Sequence, residues 1–142
     1  MPQGLHELDA HRCSAFRPDS FGRVVAWRVK VGDDLREQHV RPTFCTNDEM
    51  LELNAVLAGE IIAQVAVPTA AALIRSGQLV PLLLEHRTEV HHLYLYYGSR
   101  SAQPARVRRF IDLAVERLTN SVQFVLSNEE LLRAHAEGVR GL

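Results

Sequence analysis

The sequence has few cysteines and lacks any long apolar segment. Its only cysteines among 142 residues are Cys13 and Cys45, too few and too far apart for a disulfide framework or a zinc knuckle. No apolar run approaches the ~18 residues that a membrane-spanning helix needs. Residues 1–10 carry charged side chains where a signal peptide would need an apolar stretch. We therefore expect reduced thiols and a cytoplasmic protein without membrane contacts.

An excess of positive charge is also absent. The 16 Lys and Arg residues are balanced by 17 Asp and Glu residues, which gives a formal net charge of −1. The chain therefore lacks the broad positive field that holds nucleic acid through its phosphates. Hydrophobic residue types make up 46% of the chain, enough to bury the core of one domain. We expect a single globular unit that does not hold DNA directly.

Sequence motifs for catalysis, metal binding and phosphate binding are missing. The chain has no HExxH, GxSxG, GxGxxG or P-loop pattern. His91 and His92 are adjacent in a predicted strand and point to opposite faces, so they cannot bind one metal from one face. Cys45, which lies just before a predicted helix, is the one candidate for a catalytic nucleophile. The alternative is that Cys45 is a small buried strand residue. We expect no enzyme, no metal and no cofactor.

Strand and helix patterns alternate along the chain and predict an α/β fold. Residues 24–31 alternate apolar and charged side chains and predict a half-buried strand, with an antiparallel neighbour over residues 40–45. Further strands are predicted over residues 61–67, 79–84 and 90–97. Helices are predicted from Thr46 to Gly59, over residues 69–76 before Gly77, from Pro104 to Leu118 with one apolar stripe on a sheet, and from Ser127 to Gly138.

The junction Thr46-Asn47-Asp48, where a strand ends and a helix begins, is the strongest candidate for a binding site. In open α/β sheets, ligands bind beyond the carboxyl ends of strands, and helix amides there favour carboxylates and other anions. The alternative is that Thr46 only caps the helix through a capping box with Glu49. Arg17 lies in a loop and is either a partner for an anionic ligand or an ordinary solvated arginine.

A series of short motifs occurs in an order that resembles a known family. The motifs are Leu8-Asp9-Ala10-His11-Arg12-Cys13, Trp27, Thr46-Asn47-Asp48, Leu57-Ala58-Gly59 leading to Ile62-Ala63, Ser76-Gly77-Gln78-Leu79-Val80, Leu93-Tyr94-Leu95-Tyr96-Tyr97, and Arg106-Val107-Arg108-Arg109-Phe110-Ile111-Asp112. This series resembles the C-terminal part of the effector-binding domain of LysR-type transcriptional regulators. Two departures are Ile61, where the family often has a second glycine, and Ala66, where a proline is usual.

The resemblance implies a fold and a division of the chain. The fold is a periplasmic-binding-protein-like (type 2) regulatory subdomain, with a mixed sheet and flanking helices. The partial effector-binding domain would span residues 4–119, comprising the second subdomain with a returning strand and helix. Residues 120–142 would form a C-terminal tail with a short helix.

The resemblance also implies a function. A small anionic effector would bind in a cleft contacted by Thr46, Asn47 and Asp48, with Gln64 and Arg17 as further contacts. DNA would be bound only through a helix-turn-helix domain that this chain does not contain, and the protein would be a homo-oligomer. An alternative from the residues is a structural or oligomerisation fragment with no ligand, because the predicted strand over residues 90–97 would expose pairing edges.

Overall fold

The computed structural model describes residues 1–20, 22–88, 95–96, 104–119 and 121–141. Within them the predicted α/β class is confirmed, although the described strands form two separate two-stranded sheets rather than one mixed sheet. The strands are β1 (Cys13–Phe16), β2 (Trp27–Val31), β3 (Asp34–Gln38) and β4 (Pro42–Thr46). The α-helices are α1 (Glu49–Leu57), α2 (Val67–Arg75), α3 (Ala105–Leu118) and α4 (Asn128–Arg140), and 3-10 helices span Leu5–Ala10 and Leu84–His86.

The parallel sheet is built around β1. β4 pairs parallel with β1 on one side, and Ile62 forms a parallel bridge with Cys13 on the other. The Ser14 amide donates to the Ile62 carbonyl at 2.9 Å. The predicted strand over residues 61–67 is thus reduced to one bridge, because the chain already turns into α2 at Val67.

The second sheet is the antiparallel hairpin of β2 and β3, joined by a turn in which Gly32 has a φ of +63°. Trp27 and Val29 are buried while Arg28 is exposed, so the predicted alternation in β2 is confirmed. The predicted antiparallel neighbour over residues 40–45 is wrong. β3 takes that place, and it escaped prediction because its side chains are nearly all exposed and show no apolar alternation.

Two helix ends were predicted from glycine, and both are confirmed. Gly59 follows α1 and Gly77 follows α2, and each has a φ of +73°. This left-handed conformation is the usual way to end an α-helix, and it favours glycine because a Cβ atom would be strained there. Local backbone chemistry therefore determines where α1 and α2 stop.

The predicted strand over residues 79–84 is wrong. Leu83 adopts a left-handed conformation, with φ 51° and ψ 46°, immediately before the 3-10 helix Leu84–His86. Leu83 packs against one core cluster, whereas Leu79 and Leu84 pack against another. In a straight strand Leu79 and Leu83 would share one face, yet they pack against different clusters, so the chain bends here. The predicted strand over residues 90–97 lies outside the described residues, except 95 and 96.

Helix α3 does not pack as predicted. Its apolar side chains fall on one stripe, yet none of its residues is buried and Phe110 is 63% exposed. The prediction that this stripe covers a sheet is wrong for the described part of the chain. No described helix is long and apolar enough to cross a membrane.

Helix α4 begins at the predicted capping box. The Ser127 hydroxyl accepts from the Glu130 amide at 3.1 Å, and the Glu130 carboxylate accepts from the Ser127 amide at 2.8 Å. The predicted end at Gly138 is wrong, because α4 continues to Arg140. Gly138 serves instead as a contact point, since a Cβ atom there would lie 2.4 Å from the methyl groups of Val80.

The docking site of α4, which could not be predicted, is α2. Leu131 packs against Ala70 and Ile74, and Arg75 Nε donates to Glu130 Oε1 at 2.7 Å. This guanidinium, helped by the Ser127 amide, holds the pKa of Glu130 at about 2. A lowered carboxyl pKa favours the folded state above the ordinary range and loses that effect as the pH falls toward 2. The docking of α4 is therefore weakened in acid.

A second core cluster lies under the parallel sheet. Leu8, Cys13 and Trp27 are its buried members, and Leu5, Val40, Ile62 and Leu83 pack around them. Both cysteines are free thiols, with Cys13 buried and Cys45 exposed. The prediction that Cys45 is buried is therefore wrong, because Phe44 and Thr46 take the covered face of β4 and side chains alternate along a strand.

Candidate functional site

The carboxyl ends of β1 and β4 meet at one edge of the parallel sheet. Phe16 is the register partner of Thr46, and the amide of Arg17 donates to the carbonyl of Thr46 at 2.9 Å. Three predicted site residues, Thr46, Asn47 and Asp48, follow β4, and Arg17 follows β1. Four of the five predicted residues therefore lie together where the sequence placed them.

Asn47 joins the two loops that leave this edge. Its Nδ2 donates to Asp19 Oδ1 at 2.8 Å, across the gap between the loop after β1 and the loop after β4. Both side chains are exposed. Asp19 was not predicted, because a polar residue in a loop carries no signal of its partner. The pair sets the spacing between the two loops.

The cap of α1 is Asp48 rather than Thr46. Asp48 Oδ1 accepts from the amides of Met50 at 2.8 Å and Leu51 at 3.1 Å. The predicted capping box is wrong because β4 continues through Thr46, so the helix cannot start there. The Thr46 hydroxyl instead accepts from the Asp48 amide at 3.0 Å. Thr46 thereby orients the residue that caps the helix.

The charges at this edge are mixed. Arg17 is an exposed cation, while Asp19 and Asp48 are exposed carboxylates. Since Asp48 occupies the first amides of α1, those amides are not open to an incoming anion in this arrangement. The exposed cation and amide donor of the edge are therefore those of Arg17 and Asn47, and the helix terminus is occupied by Asp48.

Gln64, the fifth predicted residue, is engaged elsewhere. Its Oε1 accepts from the Arg28 amide at 2.9 Å, and its Nε2 donates to the Arg28 carbonyl at 2.7 Å. Both ends of the side-chain amide are therefore bound to the backbone of β2. A ligand that used Gln64 would have to break these two hydrogen bonds.

A buried polar pair lies behind the edge and was missed in the sequence. Ser14 on β1 and Glu52 on α1 are both buried. Burial raises the pKa of Glu52 and the Glu49 carboxylate raises it further, whereas the nearby Ser14 hydroxyl lowers it without forming a hydrogen bond. No sequence signal marks this pair, because a glutamate one turn after a helix cap is usually solvated.

Replacing Glu52 by glutamine should stabilise the protein near neutral pH. A carboxyl whose pKa is raised in the folded state costs stability when it ionises, and that cost appears as the pH rises through the raised pKa. Glutamine removes the ionisation, so the melting temperature should rise at pH 7 and depend less on pH between 4 and 7. Thermal melts across this range measure both effects.

The matched control is Glu129→Gln in the first turn of α4, since Glu49 itself raises the pKa of Glu52. Glu129 is exposed, and a first-turn carboxylate stabilises a helix by about 0.3–1 kcal/mol. The two variants should therefore change stability in opposite directions. A Glu52→Gln protein that is less stable than the parent at pH 7 would contradict the prediction.

The described residues contain no group of three or more His, Cys, Asp or Glu side chains that could hold a metal ion. The chemistry of the edge is that of hydrogen bonding and charge, from a guanidinium, an amide, a hydroxyl and two carboxylates. Such groups form hydrogen bonds and ion pairs with polar molecules.

Residues 1–119 match the family model described as LysR substrate binding domain. The chain belongs to this family. It is also similar to the HTH-type transcriptional regulator CrgA of Neisseria meningitidis serogroup C (strain 8013), with 28% identity over 123 residues. That match covers 85% of this chain and 40% of CrgA. The chain therefore spans less than half the length of this LysR relative. No solved structure gives a significant match.

Proposed function

We propose that the chain is the effector-sensing portion of a LysR-type transcriptional regulator. The observation that carries the proposal is the family match over residues 1–119. The similar regulator CrgA bears the printed description of an HTH-type transcriptional regulator, which supports a DNA-binding part outside the matched segment. In this proposal the protein is cytoplasmic and homo-oligomeric, is not an enzyme, and reaches DNA only through a helix-turn-helix domain.

The proposed fold is a periplasmic-binding-protein-like (type 2) subdomain over residues 4–119, followed by a tail over residues 120–142. The proposed effector is a small anionic metabolite at the edge formed by β1 and β4. Arg17 would pair with the anionic group, and Asn47 and Thr46 would hydrogen-bond the rest of the ligand. The hydrogen bond between Asn47 and Asp19 supports the proposal, because a ligand that displaces it would rearrange the loops after both β1 and β4.

We expect a ligand of this edge to stabilise the chain in a thermal-shift screen of amino acids, aromatic acids and central metabolites. At a hundred times its dissociation constant, a ligand adds about 2.7 kcal/mol to the free energy of unfolding. For a domain of this size, that is a shift of several degrees. Asn47→Ala should reduce the shift, because it removes a donor at the edge and releases Asp19.

Asn54→Ala is the matched control, since Asn54 is exposed on α1 away from the edge. It should leave the shift unchanged. A cooperative melt that no compound moves, or a hit that Asn47→Ala leaves intact, would contradict this site.

A structural or oligomerisation fragment is the second candidate, and the exposed apolar stripe of α3 favours it. Phe110, Leu113 and Leu118 are all exposed, and contiguous apolar surface of this kind often marks a contact with another protein. Light scattering of the purified chain tests this candidate. A clean monomer at high concentration would argue against it.

A further inference from the structure

An open cleft of about 700 Å³ lies between the β2–β3 hairpin, the 3-10 helix Leu84–His86 and helix α4. Its described lining residues, which together we call the tail pocket, are Lys30, Asp33, Leu35, Leu84, Glu85, Arg87, Thr88, Asn128, Leu132 and His135. The volume falls in the range of about 300–1,000 Å³ that is typical of small-molecule sites. The tail pocket shares no residue with the edge formed by β1 and β4.

Three leucines give the tail pocket an apolar floor. Leu35 is the cross-strand partner of Lys30, so both side chains lie on the same face of the hairpin. Leu132 lies on α4 between Asn128 and His135, at spacings of four and three residues that place all three on one helix face. Leu84 completes the floor from the 3-10 helix. An apolar body in this space would contact leucine from three separate elements.

Hydrogen bonds hold the walls in place. His86 Nδ1 lies 2.8 Å from the Lys30 carbonyl, which fixes the 3-10 helix against β2. His135 Nδ1 lies 2.8 Å from the Pro81 carbonyl, which fixes α4 against the segment before the 3-10 helix. A carbonyl oxygen only accepts, so each Nδ1 carries the proton and donates. The tail pocket therefore does not depend on a ligand for its shape.

Two cations, Lys30 and Arg87, and two carboxylates, Asp33 and Glu85, line the tail pocket. Lys30 Nζ lies 3.7 Å from Asp33 Oδ1 in an exposed pair, with the Asp33 side chain fully in solvent. Exposed pairs of this kind are weak, so a carboxylate ligand can compete for Lys30. Arg87 Nη1 donates to Asn128 Oδ1 at 2.8 Å, which directs the guanidinium toward the start of α4.

The tail pocket takes part of its lining from beyond the family match. Asn128, Leu132 and His135 lie beyond residue 119, where the family match ends. Without α4, one wall of the cleft would be missing. A ligand held here would therefore tie the tail to the hairpin.

We propose that the tail pocket is a second binding site, for a carboxylate with a compact apolar body. The carboxylate lies at Lys30, and the apolar body lies on Leu35, Leu84 and Leu132. The site is independent of the proposed effector site, so one can fail in experiment while the other stands.

Titration of the full chain with phenylacetate, followed by calorimetry or by amide chemical shifts, tests the proposal. Binding should be saturable. Lys30→Gln should weaken it about three- to tenfold through the loss of a charged partner. Asp33→Asn should strengthen it about two- to threefold, because it frees Lys30 from its weak pair. Both side chains are at least half exposed, so neither variant threatens the fold.

Leu132→Trp fills the floor and should abolish phenylacetate binding, whereas Asn47→Ala at the other edge should leave it unchanged. 2-Phenylethanol, which lacks the charge, should bind with the same affinity to the parent and to Lys30→Gln. The proposal is overturned if phenylacetate shows no saturable binding, or if Lys30→Gln and Asp33→Asn do not move its affinity in opposite directions.

Discussion

We expect Leu8→Ala to lower the free energy of unfolding by about 2–5 kcal/mol. Leu8 is 1% exposed and packs against Cys13 and Trp27, so the truncated side chain leaves a cavity that β1 and β2 cannot close. Native domains of ordinary size are stable by only about 5–15 kcal/mol. The substitution therefore removes a large share of the total, and the melting temperature should fall on the order of 10 °C.

The measurement is convenient because Trp27, the only tryptophan of the chain, lies in the same cluster. Its fluorescence reports the unfolding of this core directly in a urea titration. Leu51→Ala is the matched control, since Leu51 is 52% exposed and should change stability by less than about 0.5 kcal/mol. Equal midpoints for the two variants would show that Leu8 is not a core residue.

Gly138→Ala should destabilise the docking of α4, although alanine is the better helix former. A Cβ atom at Gly138 would lie 2.4 Å from both methyl groups of Val80. Val80 is β-branched and cannot swing away, so α4 must shift. Overpacking typically costs about 1–3 kcal/mol, which outweighs the gain of up to about 1 kcal/mol from replacing glycine within a helix.

Gly141→Ala provides the comparison three residues later. The nearest atom to a Cβ at Gly141 is the Glu137 carbonyl oxygen at 3.7 Å, an ordinary contact, so this variant should melt with the parent. Hydrogen exchange of the α4 amides would locate the effect of Gly138→Ala in that helix. A Gly138→Ala protein as stable as Gly141→Ala would mean that α4 does not lie against Val80.

Local signals predicted helices far better than strands. The end of α1 at Gly59 and the start of α4 at Ser127 depend on backbone chemistry within a few residues, and the sequence carries that chemistry openly. Strand pairing depends on partners that are distant in sequence. β4 pairs with β1 instead of the hairpin, and no pattern within residues 40–45 could show it.

The candidate site was likewise predictable in its local part and not in its distant contacts. Thr46, Asn47 and Asp48 were predictable because a strand-to-helix junction is visible in sequence. The identity of the cap was not, since Asp48 and Thr46 are both good caps and only the length of β4 decides between them. The link from Asn47 to Asp19 spans 28 residues and could be seen only in three dimensions.

The side chain of Gln64 performs the task of a peptide unit. Its two hydrogen bonds with Arg28 reproduce the donor and acceptor of a neighbouring strand. Apart from a bridge between Phe16 and Val25, no strand pairing among the described residues joins the two sheets. Gln64 is thus one fastening of the hairpin, beside the buried Trp27 and the hydrogen bond between His86 and the Lys30 carbonyl. Evolution can loosen or tighten that fastening without deleting a strand or altering a core residue.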